Sequence, residues 1–299
     1  MGKVLVVCGA TASGKTALSI ALAKQLNTEI ISADSMLIYQ GLDIGTAKPT
    51  IEEMQGVKHH MIDVVSPYDS FSVSDYRDKA LPIIEELLAQ GKTPIICGGT
   101  GFYINALLLE SQLGNIGADE TFREEMEEYL NKHGKEALHT LLREKDEESA
   151  AVLHPNDTKR VIRALEIVHL TGKKKSEQAD GFTPKYPFVC VSIDYPREKL
   201  YERINLRVDK MFEGGLLQEV QGLLDIGVTS KCQCMQGIGY KEVVEGLQTG
   251  CSLDEIKELI KKNTRNYAKR QLTFFKRMQN HIRLPYDEIN LDKVLEQVK

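Results

Sequence analysis

Short runs of aliphatic and β-branched residues recur along the chain, and most of them end at a glycine or a carboxylate. These runs predict buried strands at residues 3–8, 29–34, 59–65, 94–97 and 189–194. Apolar positions with helical spacing follow the first and third strands, at residues 17–26 and 74–90. Uniformly apolar strands that alternate with helices are typical of a doubly wound parallel sheet covered on both faces, so an α/β fold is predicted.

The pattern changes between residues 114 and 186, where strand signals give way to charged helical segments. The strand at residues 189–194 returns afterwards, and the chain beyond residue 200 has helical spacing again. We therefore predict an α/β core formed by residues 1–113 and 187–299. Residues 114–186 are predicted to form a helical insertion domain within it.

Composition and charge narrow the class of protein. The chain has 42% hydrophobic residues, 27% charged residues and a formal net charge of −5, which is typical of a globular protein. Residues 257–283 nevertheless contain nine Lys and Arg against one acid, so a polyanion is expected to contact that region. No run approaches the roughly 18 apolar residues of a membrane span, and no signal-peptide cleavage site follows residues 1–9. A cytoplasmic protein without membrane association is predicted.

The first strand leads into a complete G-x-x-x-x-G-K-T sequence that opens a helix. It consists of Gly9, Ala10, Thr11, Ala12, Ser13, Gly14, Lys15 and Thr16. The glycines allow backbone N–H groups and the helix N-terminus to surround phosphate oxygens. Lys15 adds a cation for the outer phosphate, and Thr16 a hydroxyl for Mg²⁺. This phosphate loop predicts binding of a di- or triphosphate, but it does not identify the reaction.

Three reactions remain open at this point. A phosphoryl transferase or an RNA-binding ATPase would need a metal-binding carboxylate, for which Asp63 is a candidate, and a water-orienting or arginine-finger residue. No kinase or GTPase specificity motif stands out elsewhere in the chain. The third reaction is group transfer in which diphosphate is the leaving group.

Two other strand ends are expected to share the crevice with the phosphate loop. Asp34 ends the second strand, and Gly98, Gly99 and Thr100 end the fourth. The carboxyl ends of parallel strands meet at one edge of a sheet, so these residues should lie near the bound phosphate. Asp34 could accept a proton or hold a metal there, although a helix N-cap is the structural alternative.

These motifs together resemble those of the bacterial tRNA dimethylallyltransferases, also called tRNA isopentenyltransferases or IPP transferases. The matching segments are residues 9–16, 32–39, 43–49, 59–63, 98–103, 156–166 and 236–242. The resemblance implies a P-loop NTPase-like, doubly wound α/β fold with a helical insertion domain. It also implies that a dimethylallyl group moves from dimethylallyl diphosphate to N6 of the adenosine next to the tRNA anticodon, and that Mg²⁺ is the cofactor.

The resemblance further implies residue roles. Asp34 would accept the N6 proton, Thr100 would contact the reacting centre, and Arg207 would hold the departing diphosphate, with Arg203 as the alternative. The residues expected to contact the anticodon loop are Asp34, Ser35, Met36, Leu37, Thr100, Arg123, Thr158, Lys159, Arg160, Arg163, Gly239, Tyr240, Lys241, Arg265, Lys269 and Arg270. Core packing is the alternative for Met36 and Leu37, and a solvated surface for the basic residues. The expected form is a monomer.

Overall fold

The computed structural model describes residues 2–110, 116–177 and 183–298. The chain divides into two compact units. The first unit comprises Met1–Leu108 and Pro184–Lys299, and the second comprises Leu109–Thr183. The divisions fall a few residues before the predicted boundaries of the insertion domain. Each unit has its own hydrophobic core.

Six parallel strands form the sheet of the first unit. They are β1 (Val4–Cys8), β2 (Ile30–Ser32), β3 (His59–His60), β4 (Ile95–Gly98), β5 (Phe188–Asp194) and β6 (His281–Pro285), in the order β3-β2-β4-β1-β5-β6. β1 is fully buried, and its Val6 is in register with Ile96 of β4 and Cys190 of β5. The predicted parallel α/β sheet is confirmed, and the phosphate loop leaves it between β4 and β5.

Two strands differ from the sequence prediction. The apolar run at residues 59–65 forms only the two-residue strand β3, because Met61 and Asp63 adopt positive φ angles of 62° and 54° that leave the extended region. The edge strand β6 is not predicted from the sequence. Its residues are mostly half-exposed or exposed and end in a proline, so it lacks the uniformly apolar pattern of a central strand.

Helices cover the sheet and make up the second unit. In chain order they are α1 (Lys15–Leu26), α2 (Ile51–Met54), α3 (Val73–Ala89), α4 (Gly101–Leu108), α5 (Glu120–His133), α6 (Lys135–Lys145), α7 (Glu147–Val152), α8 (Thr158–Thr171), α9 (Arg197–Glu213), α10 (Leu216–Asp225), α11 (Tyr240–Thr249), α12 (Leu253–Phe275) and α13 (Asp292–Val298). Side chains of β1, β5, α1 and α13 fill one core of the first unit. Helices α5 to α8 enclose the core of the second, around Leu138, Leu142 and Val161.

Candidate active site

The phosphate loop begins where β1 ends and finishes at the first residue of α1. Gly9 and Gly14 have φ angles of 133° and 85°, which favour glycine, and Ala12 also adopts a positive φ of 61°. The first turn of α1 contains no acidic residue, so its positive helix end is not neutralised by a neighbouring carboxylate. This backbone geometry suits an anion in front of the loop.

Four cations surround a cavity of about 330 Å³ at the loop. Lys15 comes from the loop itself, and Arg203, Arg207 and Lys210 come from α9. The Lys15 ammonium donates to the Ala10 carbonyl at 2.6 Å, and Arg203 Nε donates to the Ala12 carbonyl at 2.8 Å. In the described parts of the chain, none of the four forms an ion pair with a carboxylate. The cavity therefore carries a net positive charge that no direct ion pair with a described residue neutralises.

Two polar atoms of this cavity also lack partners. Ser13 Oγ and Arg207 Nε are buried and form no hydrogen bond within the described residues. Burial lowers the pKa of Lys15, and the nearby Arg207 guanidinium acts in the same direction. Buried donors and cations without acceptors destabilise a protein unless a ligand satisfies them. The arrangement suits a multiply charged anion with several acceptor oxygens, such as a diphosphate.

Arg207 connects this cavity with a second one of about 410 Å³, because its side chain lines both. Its Nη1 lies 3.4 Å from Thr11 Oγ1, and its Nη2 donates to the Thr46 carbonyl at 3.1 Å. Arg203 lines only the first cavity. The two arginines that the sequence left as alternatives thus have different surroundings, and only Arg207 reaches both cavities.

Among the described residues that line the two cavities, Asp34 is the only carboxylate. Its Oδ1 accepts hydrogen bonds from the backbone N–H groups of Met36 at 2.9 Å and Leu37 at 3.4 Å. Its Oδ2 accepts none from the residues that the structure describes. A turn rather than a helix follows Asp34, so the helix N-cap alternative does not apply. One oxygen stabilises the turn, and the other is left for a ligand. Ser35 and Met36 line the cavity beside it.

Thr100 fastens the turn after Asp34 to the end of β4. Its Oγ1 accepts the Ser35 N–H at 3.1 Å, and its own N–H donates to the Ala33 carbonyl at 3.0 Å. The two segments approach so closely that a Cβ atom on Gly98 would lie 2.1 Å from the Ala33 carbonyl oxygen. Only glycine fits there, and this explains Gly98, the first of the two glycines at the end of β4.

The segment at residues 43–49 is held by a residue that the sequence analysis did not single out. The Glu219 carboxylate of α10 accepts the N–H groups of Asp43, Ile44 and Gly45 at 2.9, 2.7 and 3.0 Å. The buried Tyr240 hydroxyl donates to the same carboxylate at 2.5 Å. A single glutamate on an amphipathic helix looks like a surface residue in the sequence, so no local signal identifies Glu219.

The residues in and near α11 and α12 that are predicted to contact tRNA lie in different surroundings. Tyr240 and Arg270 line the second cavity, and Arg270 lies over the Tyr267 ring at 5.5 Å. Arg265 donates to Asn205 Oδ1 at 2.7 Å. Lys269 is exposed. Gly239 directly precedes α11 and donates its N–H to Glu242 at 2.7 Å, and the exposed Lys241 in the first turn of α11 pairs with Glu245 at 3.7 Å. Their contact with tRNA stays a prediction.

In the second unit, two predicted contact residues bind a buried carboxylate. Glu166 of α8 is fully buried, and it pairs with Arg123 at 2.8 Å and Arg163 at 2.5 Å. The Asp119 N–H donates to it as well, at 2.8 Å. The bonds from Arg123 and Asp119 join α5 to α8, whereas Arg163 pairs with Glu166 within α8 and donates to the Ile116 and Gly117 carbonyls, so both arginines have a structural role within this unit.

The other predicted contacts of the second unit lie at the start of α8. Lys159 and Arg160 are exposed, and Arg160 pairs with Asp157 at 3.2 Å. Thr158 is the first residue of the helix. Contact of these residues with tRNA also stays a prediction.

The described residues contain no cluster of three or more His, Cys, Asp or Glu side chains suited to a metal ion. The metal candidate Asp63 pairs with Lys48, which also binds Asp43 at 2.6 Å. Thr16 lines the first cavity, and its hydroxyl forms no hydrogen bond within the described part of the chain. A membrane-spanning helix is also absent from the residues described.

The fold and the site together define a phosphate-loop α/β protein with two adjoining cavities. A family model described as IPP transferase matches residues 37–278. A tRNA dimethylallyltransferase of Halalkalibacterium halodurans is 46% identical over 299 residues, covering 99% of this chain and 95% of the relative. The chain therefore belongs to the IPP transferase family, and the resemblance inferred from the sequence is confirmed.

Solved structures agree with this assignment. A tRNA Δ(2)-isopentenylpyrophosphate transferase from Staphylococcus epidermidis has a TM-score of 0.72 and 42% identity, with 100% of this chain and 97% of that chain covered. A eukaryotic dimethylallyltransferase acting on tRNA has a TM-score of 0.83 and 31% identity, with 98% and 75% covered. The similarity extends over both units of the chain.

Proposed function

We propose that the protein transfers a dimethylallyl group from dimethylallyl diphosphate to N6 of the adenosine next to the anticodon of a tRNA. The observation that carries this proposal is the junction of two cavities at Arg207. One is cationic and lined by the phosphate loop, and the other contains the carboxylate of Asp34. A diphosphate leaving group and a base for the acceptor amine would thus lie on opposite sides of one reacting carbon.

The first cavity provides the leaving-group chemistry. As the allylic C–O bond breaks, negative charge grows on the diphosphate, and fixed cations stabilise that charge. Lys15 and Arg207 are partly buried, so their interaction with the charge is stronger than in water. The unpartnered Ser13 Oγ and Arg207 Nε would each gain an acceptor from the ligand. Arg207, rather than Arg203, would face the bond that breaks.

The second cavity provides the acceptor chemistry. An adenine turned out of the anticodon loop could enter it, with Met36 and the Tyr267 ring among its walls. N6 attacks the allylic carbon, the diphosphate leaves with the C–O electron pair, and Asp34 takes the N6 proton. Thr100 fastens the Asp34 turn through Ser35, which holds the carboxylate in place.

Mg²⁺ would bind in the first cavity together with the diphosphate. Mg²⁺ commonly binds through substrate phosphates, water and one or two protein oxygens, and here the Thr16 hydroxyl would be such an oxygen. It would neutralise part of the charge on the diphosphate. The protein would then need no carboxylate cage of its own for the metal.

The tRNA would be held by the basic residues of α12 and α8, chiefly Arg265, Lys269 and Arg270, with Lys159 and Arg160. Phosphate contacts of this kind are sequence-independent and depend on salt. The proposed active form is a monomer, since the cations and the carboxylate that the transfer needs are all residues of this chain. Its mass in solution at assay concentration, measured by light scattering, tests this.

The test incubates the protein with Mg²⁺, unmodified tRNA and labelled dimethylallyl diphosphate, and in parallel with labelled ATP. We expect label on the tRNA only in the first reaction, located at the adenosine beside the anticodon. A third reaction replaces tRNA with free AMP and is expected to give no product. Phosphoryl transfer or ATP hydrolysis without prenylation would contradict the proposal, and prenylation of AMP would contradict the choice of acceptor.

A further inference from the structure

We propose that Gln271 is a positioning residue, which fixes the phosphate loop against the end of β4 and thereby sets the distance between the two substrate sites. The inference rests on the proposed function, because it concerns the alignment of the same two cavities. Gln271 lies near the C-terminal end of α12 and lines neither cavity.

The Gln271 amide bridges two loops that follow different strands. Its Oε1 accepts the Thr11 N–H at 2.8 Å, and its Nε2 donates to the Gly99 carbonyl at 3.0 Å. A backbone N–H can only donate and a carbonyl can only accept, so these partners determine the orientation of the amide. The side chain is 5% exposed, which removes competition from water.

The absence of a side chain at Gly99 leaves space for the Gln271 amide. A Cβ atom on Gly99 would lie 2.1 Å from Gln271 Nε2, although Gly99 has no positive φ that would require glycine. Close packing, and not backbone conformation, therefore explains the second glycine at the end of β4. Any side chain there would displace the amide and break its bond to the β4 loop.

Each end of the bridge leads to a part of the site. Thr11 lines the second cavity, and its hydroxyl lies 3.4 Å from Arg207 Nη1. Gly99 precedes Thr100, whose hydroxyl holds the turn after Asp34 through the Ser35 N–H. The amide thus connects the loop that would hold the diphosphate with the segment that carries the proposed base.

This connection matters for displacement chemistry because the attacking nitrogen, the carbon and the leaving oxygen must be aligned. A misplacement of about 1 Å can lower a rate by roughly a hundredfold, even when each substrate still binds. We therefore expect loss of Gln271 to lower kcat, and to leave the affinity for either substrate alone nearly unchanged.

The test uses two variants of the full chain, Gln271→Leu and Gln271→Glu. Gln271→Leu removes both hydrogen bonds and should lower kcat at least about tenfold, while the Kd values of dimethylallyl diphosphate and of an unmodified anticodon stem-loop RNA change less than about threefold. Asn263→Leu is the matched control, because Asn263 is another amide of α12 that bonds to Glu242 at 2.7 Å and to neither loop. This control variant should not show a lowered kcat together with unchanged Kd values.

Gln271→Glu distinguishes a positioning role from a purely structural one. The introduced carboxylate can still accept the Thr11 N–H, but it can donate to the Gly99 carbonyl only when protonated. Burial beside a carbonyl oxygen favours the protonated form. The activity of this variant, divided by that of the wild type at the same pH, should therefore rise as the pH falls from about 8.5 to 6.

Three outcomes would overturn the inference: a wild-type kcat in Gln271→Leu, a loss confined to the two Kd values, or a pH-independent activity ratio for Gln271→Glu. If Gln271→Leu does not fold, the activity ratio of Gln271→Glu alone decides. Absence of transfer by the wild type would instead contradict the proposed function.

Discussion

Two groups of cations in this protein have opposite relations to their surroundings. The phosphate-loop cluster, formed by Lys15, Arg203, Arg207 and Lys210, has no ion-pair partner among the described residues. The Glu166 cluster of the second unit is formed by Arg123, Arg163 and Glu166, and its carboxylate is fully buried and accepts donors on both oxygens. Arginines of both groups are predicted from the sequence to have functional roles, and only the structure shows that their surroundings differ.

The difference concerns what completes each cluster. Glu166 satisfies its two arginines from within the chain, so that cluster stabilises the fold without a ligand. In the phosphate-loop cluster, Arg207 Nε instead has no hydrogen-bond partner among the residues that the structure describes. A protein tolerates such a destabilising arrangement where a ligand completes it. The carboxylates differ in the same way: within the described residues, one oxygen of Asp34 has no hydrogen-bond partner, whereas both oxygens of Glu166 have one.

The largest effect is expected from replacing Asp34, the carboxylate that we propose as the base. Asp34→Asn removes the proposed base but keeps an oxygen that can accept the N–H groups of Met36 and Leu37. We expect the transfer rate to fall at least about a hundredfold, the usual scale for a lost general base. Single-turnover assays measure the rate, and binding of both substrates and the melting temperature should stay near wild type. A near wild-type rate would leave Asp34 with only its role in the turn.

The next largest effect is expected from replacing Arg207 of the phosphate-loop cluster. Arg207→Gln should lower kcat/KM for transfer about a hundredfold, because a donor to the leaving group is removed. Its free energy of unfolding without ligand should not fall by more than about 1 kcal/mol, since only neutral-acceptor hydrogen bonds are removed. Arg203→Gln is the matched control and should cost less activity. The order would be reversed if Arg203 held the departing diphosphate.

The third effect is expected from a substitution in the Glu166 cluster. Glu166→Gln leaves Arg123 and Arg163 without their carboxylate, and should reduce the stability of the second unit by about 2 kcal/mol. The value lies below the range for fully buried pairs because both arginines are about one-third exposed. Hydrogen exchange of α5 and α8 measures the destabilisation. Unchanged protection there would show that the pairs do not hold the unit together, and a weakened affinity for diphosphate would contradict the contrast between the clusters.

The smallest effect concerns tRNA binding. Replacing Arg265, Lys269 and Arg270 with Ala should weaken tRNA binding and reduce the salt dependence of log K by about 0.7 for each single-stranded phosphate that is no longer neutralised. The Kd of dimethylallyl diphosphate should not change. Titrations at several salt concentrations measure both quantities. If the triple variant kept the salt dependence of the wild type, the tRNA contact would instead be assigned to Lys159 and Arg160, the exposed cations of α8.

Much of the fold follows from local pattern. The strands predicted at residues 3–8, 29–34, 94–97 and 189–194 and the helix α3 have apolar patterns strong enough to be recognised from the sequence, and the phosphate loop is a contiguous motif. β6 and the short β3 escape such recognition for different reasons. The edge strand is only partly buried, and β3 ends where the backbone of Met61 turns to positive φ.

The site was less accessible to sequence reasoning because its supports are distant in the chain. Asp34 and Thr100 could be predicted to lie close together, since both follow parallel strands, and Thr100 indeed binds the turn after Asp34. Glu219 and Gln271 could not, because their partners are backbone groups 174 to 176 and 172 to 260 positions away. Backbone groups carry no residue signature, so only the fold reveals such contacts.

The central claim is that the phosphate-loop cluster is uncompensated because a diphosphate completes it. The most direct measurement is thermal unfolding of the wild type and of Arg207→Gln, with and without inorganic diphosphate and Mg²⁺. A ligand that binds only the folded state raises the melting temperature with its concentration. We predict a large rise for the wild type, a much smaller rise for Arg207→Gln, and similar melting temperatures without ligand. A wild type that diphosphate does not stabilise, or a variant that it stabilises equally, would contradict the claim.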